Sequence, residues 1–365
     1  GDSSPEQEKK PEPKKPKTIE LQTLSMTDAY NMLCRNPRGQ MCRPLVFDIR
    51  HPAKFNKKHV KSSYLVRLSD SGTRLEELSG TPLAQIKYEG GRLFPKYEDE
   101  FHFKMNLEAK WIDDCWMGRE VIIIDHRPEP VPKPIVRFLC GCSTRLPLAV
   151  YKLDVTFTEF INTYPCLATN SQHPRPLKRF PWEIIPGKLY LGDWDHAEDS
   201  HALDSFNIKS VITIHADPDS IYFAGRKHLK FVHHDSELED ATPFFEPAKD
   251  FINKAIAEGH AAFVHCGRGQ SRSVSLIVAY LMLVQNMFVE DAVAHVRKAR
   301  PGAHPNKGLL KNLIDLDEKL RPGRERPIIK APTYTDADEA PLEQPEGGEQ
   351  NAADRPRGFS DGPGG

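Results

Sequence analysis

The chain has 365 residues, with 50 Lys and Arg against 51 Asp and Glu and a net charge of −1 at pH 7. That balance gives no global field for nucleic acid, and no apolar run reaches the length of a membrane span. The 7 cysteines are odd in number and scattered, a usage that fits reduced thiols in a cytosolic or nuclear setting rather than a disulfide framework.

In chain order, residues 1–18 are Lys, Glu and Pro without apolar periodicity, and a disordered tail is expected there. The segment holds no apolar signal core, and Pro5 stands where a myristoylation site needs Ser or Thr. A first apolar-rich block follows over 19–168. In it Pro44-Leu45-Val46-Phe47-Asp48-Ile49-Arg50 reads as a buried strand ending in a charged pair, and Glu120-Val121-Ile122-Ile123-Ile124 as a central strand. The spacing of Ile135, Phe138 and Leu139 places Cys140 in a helix, and Cys140 with Cys142 alone is a weak metal signal. Residues 169–179, with Pro174 and Pro176 among polar neighbours, read as a linker. A second block over 180–321 alternates short strands at 189–191, 210–214, 230–232 and 261–264 with helices at 244–257, 273–284, 289–299 and 307–319. Such alternation predicts an α/β fold with helices on a sheet. From 322 to 365 the composition turns acidic and rich in Pro and Gly, and a second disordered tail is expected.

The most informative segment is His265-Cys266-Gly267-Arg268-Gly269-Gln270-Ser271-Arg272-Ser273, between the apolar runs 261–264 and 274–284. Strand, turn and helix start place Cys266 and Arg272 around one small bowl, with the backbone N–H groups of Gly267, Arg268, Gly269, Gln270, Ser271 and Arg272 turned into it. A helix N-terminus and a nest of successive amides form an anion site. Arg272 adds a planar fork for two phosphate oxygens. A positive field of this kind favours thiolate over thiol. The pattern points to phosphoryl transfer to Cys266, where a merely buried cysteine would explain neither Gly269 nor Arg272.

Cleavage of a phosphate ester also needs a proton for the leaving oxygen. Asp235, at the end of a strand in Phe231-Val232-His233-His234-Asp235-Ser236-Glu237, is the first candidate, with Glu237, Glu239 and Asp240 as rivals and a solvated loop acid as the plain alternative. Ser273 is placed either to hydrogen-bond the sulfur or to cap the helix, and His265 either to order the loop or to pack at the strand end. Asn306 stands either to brace the bowl or to cap the last helix.

His-Cys, five residues and Arg-Ser resembles the signature of the cysteine-dependent protein phosphatases, in details the dual-specificity subclass. The segment 183–192 resembles that subclass's opening strand, and Arg300-Pro301 with Pro305-Asn306-Lys307-Gly308 its late segment. The resemblance covers about 180–320 and implies a two-step mechanism. Cys266 attacks phosphorus, Arg272 and the loop amides hold the equatorial oxygens, and Asp235 serves as acid and then base, with Ser273 aiding departure of the sulfur. It implies no metal and no cofactor, and a shallow site admitting phosphoserine and phosphothreonine as well as phosphotyrosine of a phosphoprotein substrate.

In the first block, Asp48, Arg50, Phe55, His59 and the later Leu153, Phe157, Phe160, Tyr164 and Leu167 resemble a rhodanese-like domain as found in MAP-kinase phosphatases. No cysteine directly follows the 120–124 strand, so a non-catalytic binding module is expected. The family's run of consecutive arginines is missing after Val66-Arg67-Leu68-Ser69, which leaves a MAP kinase as a candidate partner only. The layout is similar to the serine/threonine/tyrosine-interacting-like proteins, whose vertebrate members lack the nucleophile that this chain keeps. Three functions stay open: a protein phosphatase, a phosphatase for a non-protein phosphate such as a phosphoinositide, and a binding adaptor without useful turnover.

Overall fold

The computed structural model describes residues 18–35, 43–68, 75–77, 119–126, 131, 133–142, 147–170, 177–221 and 223–332. The expected tails at 1–17 and beyond 332, and the core of the linker at 171–176, lie outside them.

The first block is built on strands β1 (Leu21–Leu24), β2 (Leu45–Asp48), β4 (Ser63–Leu68), β5 (Leu75–Glu77), β6 (Glu120–Ile124) and β7 (Ala149–Leu153). They form a six-stranded sheet in the order β1-β7-β6-β2-β4-β5, parallel except for β5. β2 and β6 sit at its centre and are buried almost throughout, as near-continuous apolar runs in a parallel sheet should be. Helix α1 (Met26–Leu33) follows β1 and is capped by Ser25. Helix α2 (Pro52–Lys57) follows β2, and the two-residue strands β3 (His59–Val60) and β8 (Ala168–Thr169) pair antiparallel. Helix α3 (Lys133–Arg137) runs into a π-helical turn over Phe138–Cys142, which carries Cys140 into the smaller of two apolar clusters, where burial pushes its thiol up. Helix α4 (Phe157–Thr163) starts in a capping box of Thr156 and Glu159. The charged pair ending β2 is structural: Arg50 forks onto Asp48 and lies 3.5 Å above the Phe157 ring centre, so both charges stay buried and paired.

The second block holds β9 (Trp182–Ile185), β10 (Leu189–Gly192), β11 (Ile208–His215), β12 (Lys227–Val232) and β13 (Ala261–His265). Their order is β12-β11-β13-β10-β9, parallel except for β9. β13 is central and buried at every residue, so whatever follows His265 emerges at the carboxyl end of the sheet. Two short helices, α5 (Trp194–Glu198) and α6 (Ser200–Ser205), lie between β10 and β11 where the periodicity gave no signal. Helices α7 (Thr242–Ala257), α8 (Arg272–Gln285), α9 (Val289–Ala299) and α10 (Lys307–Leu320) complete the block. α8 is buried from Arg272 to Met282 and packs against α7, α9 and α10.

The first residues of the tail expected from 322, residues 322–332, are among those described, and there Arg324 and Arg326, with Arg321 before them, pair with carboxylates of α9 and α10. Arg321 and Arg324 both pair with the buried Asp317, Arg324 also reaches Glu290, and Arg326 reaches Asp315 and Glu318. Arg324 lies 4.0 Å from the Phe288 ring centre. Composition averaged over 322–365 hides Arg324 and Arg326 and the helix carboxylates that they meet. No helix among the described residues is long and apolar enough to cross a membrane.

Candidate active site

β13 ends at His265, and the chain turns through Cys266–Ser271 before α8 begins at Arg272. Gly269 makes the turn possible. Its φ is +66°, and a Cβ there would lie 2.6 Å from the Gly192 carbonyl oxygen, so neither the backbone angle nor the space suits a side chain. The loop's outward carbonyls are taken one by one. Gly267 O accepts from Trp194 N at 3.1 Å and Gln270 O from His304 N at 2.7 Å. Arg268 O and Gly269 O accept from the Arg300 guanidinium at 2.9 and 2.8 Å. With each of these carbonyls fixed outward, the peptide N–H groups are turned to the inner face, which makes the nest that an oxyanion needs.

Cys266 lies on the floor of this bowl and is 1% exposed. Its Sγ accepts from Gly269 N and from Ser273 Oγ, both at 3.2 Å. Ser273 therefore binds the sulfur rather than capping α8, whose N-cap position is Ser271. Arg272 is buried at the rim, where its Nη1 donates to His233 O at 3.0 Å.

Asp235 overhangs the bowl. Its Oδ1 accepts from Ser271 Oγ at 2.8 Å and Asn306 Nδ2 at 2.9 Å, and its Oδ2 lies 3.7 Å from Arg272 Nε. Two rivals are engaged elsewhere. Glu239 accepts from His234 N, and Asp240 accepts from both the N–H and hydroxyl of Thr242 at the start of α7. Glu237 meets α10 through its backbone. Asn306 does both things the sequence left open, capping α10 through Leu309 N while holding Asp235.

His265 is fully buried, and burial pushes its imidazole down to about 3. Neutral, it meets Thr213 Oγ1 at 2.7 Å through Nε2 and stacks on Phe263. It lies at the strand end beneath the loop, against the backbone of Cys266.

Two contributors had escaped the sequence reading, Trp194 and His304, whose backbone N–H groups hold loop carbonyls; Arg300 and Gly308 stood in the late segment without an assigned role. A Cβ on Gly308 would lie 2.1 Å from Glu237 O and 2.6 Å from Glu237 C, atoms of the loop that carries Asp235. The only signal for it was its place in Pro305-Asn306-Lys307-Gly308. Gly308→Ala should push that loop away from the bowl. The expected result is a loss of turnover on alkyl phosphates of about tenfold or more with oxyanion binding unchanged, read by comparing kcat with the inhibition constant of orthovanadate.

The profile of the dual specificity phosphatase catalytic domain matches residues 189–319. The chain is 37% identical over 149 residues to dual specificity protein phosphatase 26 of Homo sapiens, a match spanning 39% of this chain and 70% of that protein. The chain belongs to the dual specificity protein phosphatases. It is also 37% identical over 143 residues to dual specificity protein phosphatase Mpk3 of Drosophila melanogaster, but there it spans only 35% of the relative's length. A solved structure, the human tyrosine phosphatase-like serine/threonine/tyrosine-interacting protein, aligns with 29% identity over 39% of this chain and 99% of its own, at a TM-score of 0.37. The family match falls on the block that carries the bowl, and every residue of the loop from Gly267 to Arg272 lies within it.

Proposed function

We propose that this dual specificity phosphatase hydrolyses phosphotyrosine and phosphoserine or phosphothreonine of protein substrates through a phosphocysteine intermediate on Cys266. The observation that carries the reading is the position of the sulfur: at the floor of an amide-lined bowl, hydrogen-bonded by Gly269 N and Ser273 Oγ, with Asp235 over the rim. In the first step Sγ attacks phosphorus in line while the bond to the leaving oxygen breaks. That oxygen takes the proton of Asp235. Arg272 and the loop amides hold the three equatorial oxygens where charge spreads. In the second step water gives a proton to Asp235 and attacks phosphorus. The S–P bond breaks, the Ser273 hydroxyl stabilises the departing thiolate, and inorganic phosphate leaves. No step of this scheme calls for a metal or a cofactor.

The first block serves, in this reading, as a non-catalytic rhodanese-like module. Burial keeps the thiols of Cys34 and Cys166 pushed up to about 12, and that of Cys140 raised, which suits packing rather than sulfur transfer. A MAP kinase remains the candidate partner, and a cytosolic or nuclear setting the proposed location.

Turnover of a panel of phosphotyrosine and phosphothreonine peptides beside short-chain phosphoinositides tests the substrate class. Hydrolysis of both peptide classes, above the lipid headgroups, is expected. Preference for the phosphoinositides would move the reading to lipid phosphate, and no turnover of any by folded protein would leave the adaptor.

A further inference from the structure

β9 is the edge strand of the second sheet, and an edge leaves backbone groups unpaired. Here helix α1 of the first block closes it. The side-chain amide of Asn31, itself 2% exposed, stands in for a neighbouring strand: Nδ2 donates to Glu183 O and Oδ1 accepts from Glu183 N, both at 2.8 Å. Tyr30 adds a bond from its hydroxyl to Pro181 O at 2.7 Å. The buried carboxylate of Glu183 points into the same seam, where it accepts from Thr27 and Tyr164 of the first block and from Tyr190 and Gly187 N of the second. Residue 183 is thus fixed through its backbone and its side chain by groups of both blocks.

Successive side chains on a strand point to opposite faces. Trp182, one residue before Glu183, therefore turns away from the seam, and its ring centre lies 4.1 Å from the guanidinium carbon of Arg300. Arg300 is the group that holds the carbonyls of Arg268 and Gly269 outward. Asn31, Glu183, Trp182, Arg300 and the loop form one continuous line of contacts. If Arg300 shifts, two loop carbonyls lose their donors, and the peptides between them are free to rotate their N–H groups out of the bowl.

We propose that Asn31 is a positioning residue for the phosphate bowl, so that the first block is a built-in brace of the oxyanion site and acts on it through Trp182 and Arg300. The proposal deepens the phosphatase reading and rests on it only in taking the bowl to bind an oxyanion.

Calorimetric titration of the full chain with inorganic tungstate tests it without turnover. Asn31→Ala is expected to weaken tungstate binding about five- to twentyfold. Arg300→Lys, which keeps the charge and loses the fork, should act in the same direction, and the double variant should be no weaker than the sum of the single effects requires, falling short of additivity because the two act in series. Lys298→Ala, which removes only the exposed pair with Asp28 at the same seam, should leave the affinity unchanged. Folded Asn31→Ala with wild-type tungstate affinity, or full additivity with Arg300→Lys, overturns the brace. Should Asn31→Ala fail to fold, the isosteric Asn31→Asp keeps the acceptor to Glu183 N and loses the donor to its carbonyl, and carries the same expectation and the same refutation. Tungstate binding by a wild-type chain that turns over no phosphate ester would sink the phosphatase reading and leave the brace standing.

Discussion

Cys266→Ser is expected to lower kcat on any phosphate monoester by at least about a thousandfold, which is about 4 kcal/mol in the barrier. The hydroxyl that replaces the thiol holds its proton at neutral pH and is a far weaker nucleophile toward phosphorus. The fold should survive, because the site of Cys266 already supplies two hydrogen-bond donors, Gly269 N and Ser273 Oγ, that an oxygen accepts as well as sulfur does. Arg272 and the amides are untouched, so substrate should still bind. The check is steady-state hydrolysis of an aryl phosphate beside a circular dichroism melt. A variant that keeps turnover within tenfold of the wild type would remove Cys266 from its assigned role.

Asp235→Asn is expected to cost about a hundredfold to a thousandfold in kcat on phosphoserine and phosphothreonine peptides, whose alkoxide leaving groups need a proton. The loss should shrink on aryl phosphates with acidic leaving groups, where the first step proceeds with little help. This dependence on the leaving group separates an acid from a residue that only shapes the loop. Asparagine retains an oxygen for Ser271 Oγ and Asn306 Nδ2, so the overhang should stay in place. An equal loss on both substrate classes would take the proton-donor role from Asp235 and pass it to Glu237, which shares its loop.

The central strand and the longer helices of the second block were legible from their apolar patterns: β13 is a continuous apolar run over four positions before His265, and α9, with a periodic apolar face, occupies 289–299 as expected. The bowl was legible for a different reason. A nucleophile, a helix start and an arginine that serve one anion must lie close in sequence, so the motif is local. What surrounds the bowl is not local. Arg300 reaches the loop from 31 residues away, and Asn306 reaches Asp235 from 71. Asn306 was a candidate to brace the bowl and Arg300 stood in the late segment, but nothing in the sequence marks the particular atoms that either one meets. α5 and α6 escaped because helices of five and six residues are too short to show a period. The seam is the extreme case: Asn31 and Glu183 are 152 residues apart, nothing in the sequence marks Asn31, and only the fold pairs them.

The central claim is that phosphorus passes through sulfur at position 266. The direct measurement is rapid acid quenching of Asp235→Asn during turnover of an aryl phosphate, followed by mass spectrometry of the peptide that contains residues 261–272. In this variant the first step remains open while the water of the second step lacks its base, so the intermediate should build up. A phosphoryl group on Cys266 is the predicted result. An unmodified Cys266 during steady turnover, or the phosphoryl group on any other residue, would contradict it.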